Sequence, residues 1–342
     1  MTTTRNDMTA KAGGKQTPPG AQKNQRRIIR IFAGPLGLGL VTAALAFFLI
    51  ATADGFTSSF NLYNLGRDLG VSVVIGLAQM SVLALGGLNL AVGAIGAISA
   101  MMVGWMLQTL GVTPVVAVIA TIAFAAALGS LNGILVVWLH LHSFVVTLAT
   151  ASIFTGVMLV ITKAHAFRDL PPVVAQLGRA QLVPGVSVIV IVGLLVAMAV
   201  GYLYRFTSAG WSFLATGANP WAAEIGGVPV KRVVIVSHGL SGLLAGMAGM
   251  LVVLRVGAAL PSIGGNWVLD SFAIPIIGGT ALAGGAVSAF GVVLGALLLL
   301  LIRNGLLLVG VGGWWVQLLS GLALLVAVLL DRLRSRLMGA VE

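Results

Sequence analysis

The sequence predicts an all-α polytopic membrane protein with about ten transmembrane helices. Of its 342 residues, 59% are hydrophobic and 8% are charged, whereas about a quarter of the residues in an ordinary soluble domain are charged. The charged residues are spaced so that long uncharged stretches remain between them, the longest covering residues 69–162. Because one transmembrane helix needs about 20 apolar residues, these stretches hold about nine or ten helices.

Turn-forming residues divide the longest uncharged stretch at three places, 86–89, 111–114 and 140–143. The last helices before the C-terminus are less regular, since the eighth and ninth are short and rich in glycine. Broken or re-entrant helices are the alternative to simple crossings there. The ten predicted spans are 30–52, 68–86, 90–109, 114–138, 144–162, 184–204, 233–254, 269–285, 286–303 and 309–330.

The basic residues predict that both termini lie in the cytoplasm. With cytoplasmic termini and an even number of spans, thirteen Lys and Arg lie inside and six outside, as the positive-inside rule requires. Orientation therefore explains the net charge of +11, and no nucleic-acid partner is expected. The polar segment 1–28 is predicted to be a disordered basic tail. Residues 29–332 form the transmembrane domain, and 333–342 form a second cytoplasmic tail.

One internal similarity suggests a parallel repeat within the chain. Segments 86–94 and 278–286 are identical at six of nine aligned positions, and internal repeats are common in transporters. Chance similarity is the alternative, because Gly, Ala and Leu dominate this sequence. Both segments follow helices that the predicted topology runs in the same direction across the membrane.

The sequence contains no catalytic or cofactor-binding constellation. It has no cysteine, which excludes disulfides and thiolate metal sites. Gly13-Gly14-Lys15 is followed by Gln16 and lacks the upstream glycine of a phosphate loop. The eight acidic residues fall at tails, loops or helix ends, a pattern that disfavours proton-coupled carriers and magnesium-dependent transferases. We expect this chain to bind no cofactor, metal or ATP.

Uncharged polar groups within the spans favour a neutral polyhydroxylated substrate, because hydroxyl and carboxamide groups form hydrogen bonds without charge. The alternative for each residue is a hydrogen bond between helices, worth about 0.6 kcal/mol. Small residues at Gly242, Ala245, Gly246 and Gly249 are interpreted as a helix-packing seam. The candidate pathway residues are Gln79, Ser81, Asn89, Asn132, Thr147, Thr150, Thr280 and Asn304.

The polar loop 206–232 contains the signals of a short helix. Asn219 is a favourable N-cap, and Pro220 suits the first helical position. Glu224 still lies near the positive end of the helix dipole, and the two glycines that follow end the helix. The sequence therefore predicts a helix over Pro220–Ile225 that lies outside the bilayer. A surface turn without helix is the alternative.

The chain resembles the permeases of bacterial ABC importers for ribose, xylose, arabinose and galactose. Its loop 206–232, continuing through residue 249, is similar to the cytoplasmic coupling segment of that family. Segment 86–93 is similar to the family motif Gly-Gly-Ile-Asp-Leu-Ser-Val-Gly, although Asn89 and Ala91 replace Asp and Ser. This replacement puts in doubt any role that needs a carboxylate there. The other similar stretches are 144–150, 278–285, 304–306 and 315–331.

The resemblance implies a division of labour in the bacterial inner membrane. A pair of permease subunits, identical or related, forms the pathway in the lipid bilayer. Two ATPase subunits bind ATP and magnesium beneath them, and an extracytoplasmic sugar-binding protein delivers the sugar from above. The longest outer segments available to receive that protein are 163–184 and 255–270. The implied ATPase-coupling residues are Asn219, Pro220, Trp221, Ala222, Ala223, Glu224, Gly226, Gly227, Val228 and Pro229.

Two other function classes remain open at this stage. A nucleotide-independent secondary carrier or facilitator for a small neutral solute is supported only by the polar groups within the spans. A membrane enzyme is disfavoured because the sequence has no cluster of acids or metal ligands. The sequence does not identify the sugar, since selectivity in such importers lies largely in the binding protein.

Overall fold

The computed structural model describes residues 35–310 and the single residues 315, 318, 321, 322, 325 and 329. The predicted tails 1–28 and 333–342 and most of the predicted span 309–330 lie outside the described residues. The elements over residues 35–310 are α1 (Pro35–Thr52), α2 (Ser59–Leu83), α3 (Val92–Gln108), α4 (Pro114–Leu139), α5 (Ser143–Thr162), α6 (Pro172–Arg179), β1 (Gln181–Val183), β2 (Val186–Ser187), α7 (Val188–Phe206), α8 (Ser208–Ala218), α9 (Pro220–Ile225), α10 (Val230–Val256), α11 (Trp267–Ile277) and α12 (Ala289–Leu308).

The structure confirms the class of an all-α multi-pass membrane protein. In the described part of the chain, six helices are long and apolar enough to cross a membrane: α2, α4, α5, α7, α10 and α12. Helices α1, α3 and α11 are also apolar but shorter. The two short strands form an antiparallel hairpin between α6 and α7, a feature that the sequence does not predict.

Each of the three predicted turns lies between two helices, and local chemistry explains where the helices end. Gly86 follows α2 with a φ of +73°, a conformation that glycine adopts at little cost. Pro114 occupies the first turn of α4, and His140 ends that helix in the left-handed region. The His142 side chain then caps α5 by accepting a hydrogen bond from Phe144 N.

Helix α2 begins at Ser59, nine residues before the predicted start at residue 68. The predicted span starts at Asp68 and leaves out Arg67, but the structure shows how the helix accommodates both charged residues. Arg67 donates from Nη2 to Arg255 O over 2.6 Å, and Asp68 forms an ion pair with Arg255 of α10. Charged groups at a membrane-spanning helix are tolerated when they are paired in this way.

The predicted eighth span, 269–285, is wrong as a continuous helix. Helix α11 has only 11 residues and contains Pro275, which lacks a backbone N–H and disfavours further helix. The chain then runs through residues 278–288 without regular structure before α12 begins. Gly279, Gly284 and Gly285 in this segment have positive φ angles, so a helix cannot continue through them. The structure therefore contains a broken helix here, which is the alternative to a simple crossing given in the sequence analysis.

Helices α2 and α10 form the centre of the fold, and two-thirds of the most apolar part of each is buried. The predicted packing seam lies on α10, where Gly242 fits against Gly129 of α4 with 2.7 Å between Gly129 Cα and a Cβ placed at Gly242. Gly249 packs in the same way against the backbone of Gly96 in α3. The absence of side chains thus allows three helix backbones to approach closely, as in other membrane helix pairs.

Candidate functional site

Helix α9 begins and ends at the residues that the sequence predicts. The Asn219 side chain accepts a hydrogen bond from Ala222 N through Oδ1 (3.0 Å), and Pro220 occupies the first turn. At the other end, Gly227 has a φ of +84°, while Val228 N donates back to Ala223 O (2.9 Å). The helix is therefore fixed by hydrogen bonds at both ends.

The short helix α9 projects most of its surface away from the protein. Trp221 is 73% exposed and Ile225 is 68% exposed, and Glu224 is exposed beside them. Ala223 is buried and seats the helix on the rest of the chain. Large apolar side chains presented together on an exposed element are characteristic of protein-interaction sites.

A second short helix in the loop 206–232, α8, is absent from the sequence prediction. Thr207 caps it by accepting a hydrogen bond from Gly210 N (3.2 Å). Its Phe213 packs on Tyr204 of α7, with 5.6 Å between the ring centroids. Asn219 is the single residue between α8 and α9, so the two short helices form one continuous structural unit.

The first glycine-containing break, residues 84–91, lies between α2 and α3 and is held from two neighbouring helices. Leu88 N donates to Ser143 Oγ (2.9 Å) and Leu90 N donates to Thr147 Oγ1 (3.0 Å), so α5 satisfies two backbone groups of the break. The Asn89 side chain donates to Ser241 Oγ of α10 (2.9 Å). These bonds provide partners for polar groups that would be costly to leave unpaired inside a membrane.

Asn89 stands where the related motif has Asp, and its hydrogen bonds explain what the carboxamide does here. Its Oδ1 accepts from Ala91 N (2.9 Å), while its Nδ2 serves as a donor to Ser241. With its own carboxamide oriented to match, Gln79 donates to Asn89 O (2.8 Å) and accepts from Asn89 N (3.2 Å). The Asn89 side chain is fully buried and anchors the break from within.

The structure places the eight candidate pathway residues inside the protomer. Gln79, Ser81, Asn89, Asn132, Thr147, Thr150 and Thr280 are buried, and Asn304 is partly buried and hydrogen-bonded to Asn61 of α2. Asn132 and Thr280 have buried polar atoms without a hydrogen-bond partner among the described residues. The structure brings Gln79, Asn89 and Thr147 together around the first break, and the pathway role of all eight remains a prediction.

An open cleft of about 470 Å³ lies beside the first break. It is mostly apolar, but two hydroxyl-bearing side chains of α5, Ser152 and Thr155, contribute to its wall. Gly156 of the same helix is exposed, and a Cβ placed on it has no other atom within 4 Å. The complete lining is Leu90, Leu148, Ala151, Ser152, Thr155, Gly156, Leu159 and Val268.

The two segments that the sequence analysis predicts to lie on the outer side are joined in the structure. Phe167 and Ala259 exchange two backbone hydrogen bonds of 2.9 and 2.8 Å, which link segment 163–184 to segment 255–270. Tyr63 of α2 donates to Arg179 O (3.2 Å), and Arg303 of α12 forms an ion pair with Asp270. These contacts connect segments 163–184 and 255–270 to each other and to α2 and α12.

These features define a multi-pass helical membrane protein with a first break at residues 84–91, a second break at residues 278–288 and an exposed helix next to its spans. The chain belongs to the family described as the permease component of branched-chain amino acid transport systems, whose model matches residues 64–328. Within the described residues no three His, Asp or Glu side chains lie close enough to hold a metal ion. No solved structure matches the chain.

Several characterised permeases are similar over most of their length. The ribose import permease RbsC of Bacillus subtilis is 34% identical over 82% of this chain and 87% of its own length. The D-allose transport system permease AlsC of Escherichia coli is 34% identical over 87% and 91%. The autoinducer 2 import permease LsrC of Shigella flexneri is 31% identical over 87% and 88%. The resemblance to permeases of ABC sugar importers is therefore confirmed.

Proposed function

We propose that this chain is the membrane-spanning subunit of an ABC importer that moves a monosaccharide or related polyol across the bacterial inner membrane. The observation that carries the proposal is helix α9, a capped helix in the loop between two spans, whose Trp221 and Ile225 are mostly exposed. A short rigid helix transmits a displacement that a flexible loop would absorb. We therefore assign segment 219–229 to the contact with a separate ATPase subunit, which binds and hydrolyses ATP with magnesium.

The proposal includes three further assignments for this chain. Both termini lie in the cytoplasm, and the full chain crosses the membrane about ten times, with α1, α3 and α11 and the segment 309–330 completing the crossings. The joined outer segments 163–184 and 255–270 receive the extracytoplasmic sugar-binding protein. A second permease subunit, identical or related, completes the pathway.

The cleft beside α5 is the best candidate for part of the sugar pathway. Its wall combines apolar surface with the hydroxyls of Ser152 and Thr155. Such a wall offers contacts favourable enough for entry and weak enough for release. Thr147 and Asn89, two of the candidate pathway residues, fix the segment that carries Leu90.

Filling the cleft is expected to block transport. Gly156→Leu places a branched side chain where an added Cβ meets no other atom. We expect this side chain to raise the barrier to sugar passage by at least about 1.4 kcal/mol, which lowers uptake about ten-fold. Gly156→Ala is the matched control, since one methyl group leaves most of the cleft open. Uptake of radiolabelled sugar by the complete importer measures both variants, and equal uptake would remove the cleft from the pathway.

Reconstitution tests the function itself. The purified chain is placed in proteoliposomes with a partner ATPase and a sugar-binding protein, both sought among the genes next to its own, and uptake of D-ribose and D-allose is measured. We expect uptake only when all three proteins and ATP are present. Uptake by this chain alone without nucleotide would identify a secondary carrier or facilitator and would overturn the proposal.

A further inference from the structure

Three backbone segments from different elements meet at the C-terminal end of α2. They are residues 84–86 after α2, residues 217–218 at the end of α8, and residues 283–285 in the second break; we call them the glycine junction. Gly285 N donates a hydrogen bond to Ala84 O (3.0 Å). Gly217 packs directly on that bond, because a Cβ placed there would overlap Ala84 O and would lie 2.6 Å from Gly285 N.

A further glycine of the glycine junction, Gly284, also makes close backbone contacts with the other two segments. A Cβ placed on Gly284 would lie 2.6 Å from Gly86 N and 3.0 Å from Gly217 O. Gly284 thus touches both of the other segments through backbone alone. With no side chain between them, the three segments have little room to move independently, since closely packed interiors transmit strain instead of absorbing it.

The glycine junction is attached to helix α9 through a very short connection. Gly217 is separated from Pro220, the first residue of α9, by Ala218 and Asn219. Asn219 is fixed on both sides, since its N–H donates to Ala215 O (3.1 Å) and its side chain caps α9. A displacement of α9 is therefore passed to Gly217 and is not lost in a flexible linker.

On its other side the glycine junction is attached to the cleft. Gly86 lies four residues before Leu90, and the segment between them is held against α5 and α10 by the hydrogen bonds of Leu88, Asn89 and Leu90. Residue Val268, also in the cleft wall, belongs to α11, the helix that leads into the second break. The first break thus contributes Leu90 to the cleft wall, and the second break is connected to the wall through the length of α11.

We propose that the glycine junction is the contact through which movement of α9 is transmitted to the two breaks and so to the cleft. This inference rests on the proposed coupling role of α9. Its glycines act as positioning residues: they keep three backbones in direct contact, so that a small shift at the ATPase side becomes a change in the cleft wall. Packed contacts of this kind pass on small displacements instead of deforming gradually.

A matched pair of variants in the second break tests the glycine junction. Gly284 and Gly279 have nearly equal left-handed φ angles, +88° and +85°, so Ala strains the backbone equally at both positions. Only Gly284 touches the glycine junction, because a Cβ on Gly279 meets nothing within 4 Å. In the complete importer we expect Gly284→Ala to lower the sugar imported per ATP hydrolysed by about ten-fold, the size of a typical coupling effect, relative to Gly279→Ala.

A disulfide cross-link between α8 and the second break provides a second measurement, which does not depend on the folding of Gly284→Ala. The chain has no cysteine, and a Cβ on Gly285 lies 3.1 Å from Ala218 Cβ, a few tenths of an ångström below the usual disulfide range of about 3.5–4.5 Å. The double variant Gly285→Cys and Ala218→Cys is combined with cysteine-free partner proteins. The oxidised double variant is compared with its own reduced form, and if α8 and the second break move as one, the sugar imported per ATP is equal in the two.

The outcomes separate this inference from the proposed function. Absence of ATP-dependent uptake by the unmodified importer would overturn the proposed function. Normal coupling in the unmodified importer, with equal sugar imported per ATP in Gly284→Ala and Gly279→Ala, would overturn only the role of the glycine junction. Loss of uptake on oxidation of the double variant, restored by a reductant, would also overturn it, because the segments would then need to move apart.

Discussion

Replacing Trp221 with alanine is expected to weaken the binding of the ATPase subunit by at least about thirty-fold. Trp221 is 73% exposed on α9, and exposed tryptophans in protein interfaces often contribute about 2 kcal/mol or more to binding. At about 1.4 kcal/mol for each factor of ten, that loss corresponds to about thirty-fold in the dissociation constant. Binding of purified ATPase to the permease in nanodiscs measures the effect.

Trp138 offers a matched control for Trp221. It is also 73% exposed and lies near the end of α4, on the cytoplasmic side in the proposed topology. Trp138→Ala removes the same side chain from the same side of the membrane, and we expect it to leave ATPase binding unchanged. Equal losses in the two variants, or no loss in either, would contradict the assignment of α9 as the coupling element.

Local residue chemistry explains why the sequence predicts α9 correctly. Its start depends on Asn219 and Pro220 and its end on Gly226 and Gly227, all within ten residues of one another. Capping and left-handed glycine are local interactions, so neighbouring residues suffice to predict them. The turns at 86–89, 111–114 and 140–143 are predicted correctly for the same reason.

Long-range pairing explains where the sequence prediction fails. Arg67, next to Asp68, keeps the first part of α2 out of the predicted span, because an unpaired charge is costly inside a membrane. Their partner, Arg255, is 188 residues away from Arg67, and no local pattern indicates that the three side chains meet. The start of α2 was therefore not predictable without the tertiary structure.

The contacts of individual side chains within the spans were also not predictable from the sequence. A sequence shows that Gln79 and Asn89 are polar, but not that the Gln79 carboxamide bonds the backbone of Asn89 inside the protein. Conversely, Gly156 is one of 46 glycines, and nothing in its neighbours indicates that it borders a cleft. A glycine with no packing partner can indicate a cleft, but the sequence does not show which glycines lack such a partner.

The second large effect expected concerns the packing seam between α4 and α10. Gly129→Ala places a methyl group that would overlap His238 O and would lie 2.8 Å from Gly242 Cα. Both neighbours are backbone atoms, which cannot move aside as a side chain could. Overpacking of this kind costs about 1–3 kcal/mol, and more when the backbone must shift, so we expect the free energy of unfolding to fall by about 3 kcal/mol.

Gly156→Ala makes the same chemical change on α5 without the contact. Its added methyl group meets no atom within 4 Å, and replacing glycine with alanine in a helix stabilises by about 1 kcal/mol. The two variants should therefore shift stability in opposite directions, separated by about 4 kcal/mol when these terms are combined. Unfolding of the purified chain in mixed micelles with increasing denaturing detergent measures the difference. Similar stability of the two variants would show that the free energy of unfolding does not depend on close approach of α4 and α10 at Gly129. The same substitution at Gly242 would then show whether the close contact matters at that position of the seam.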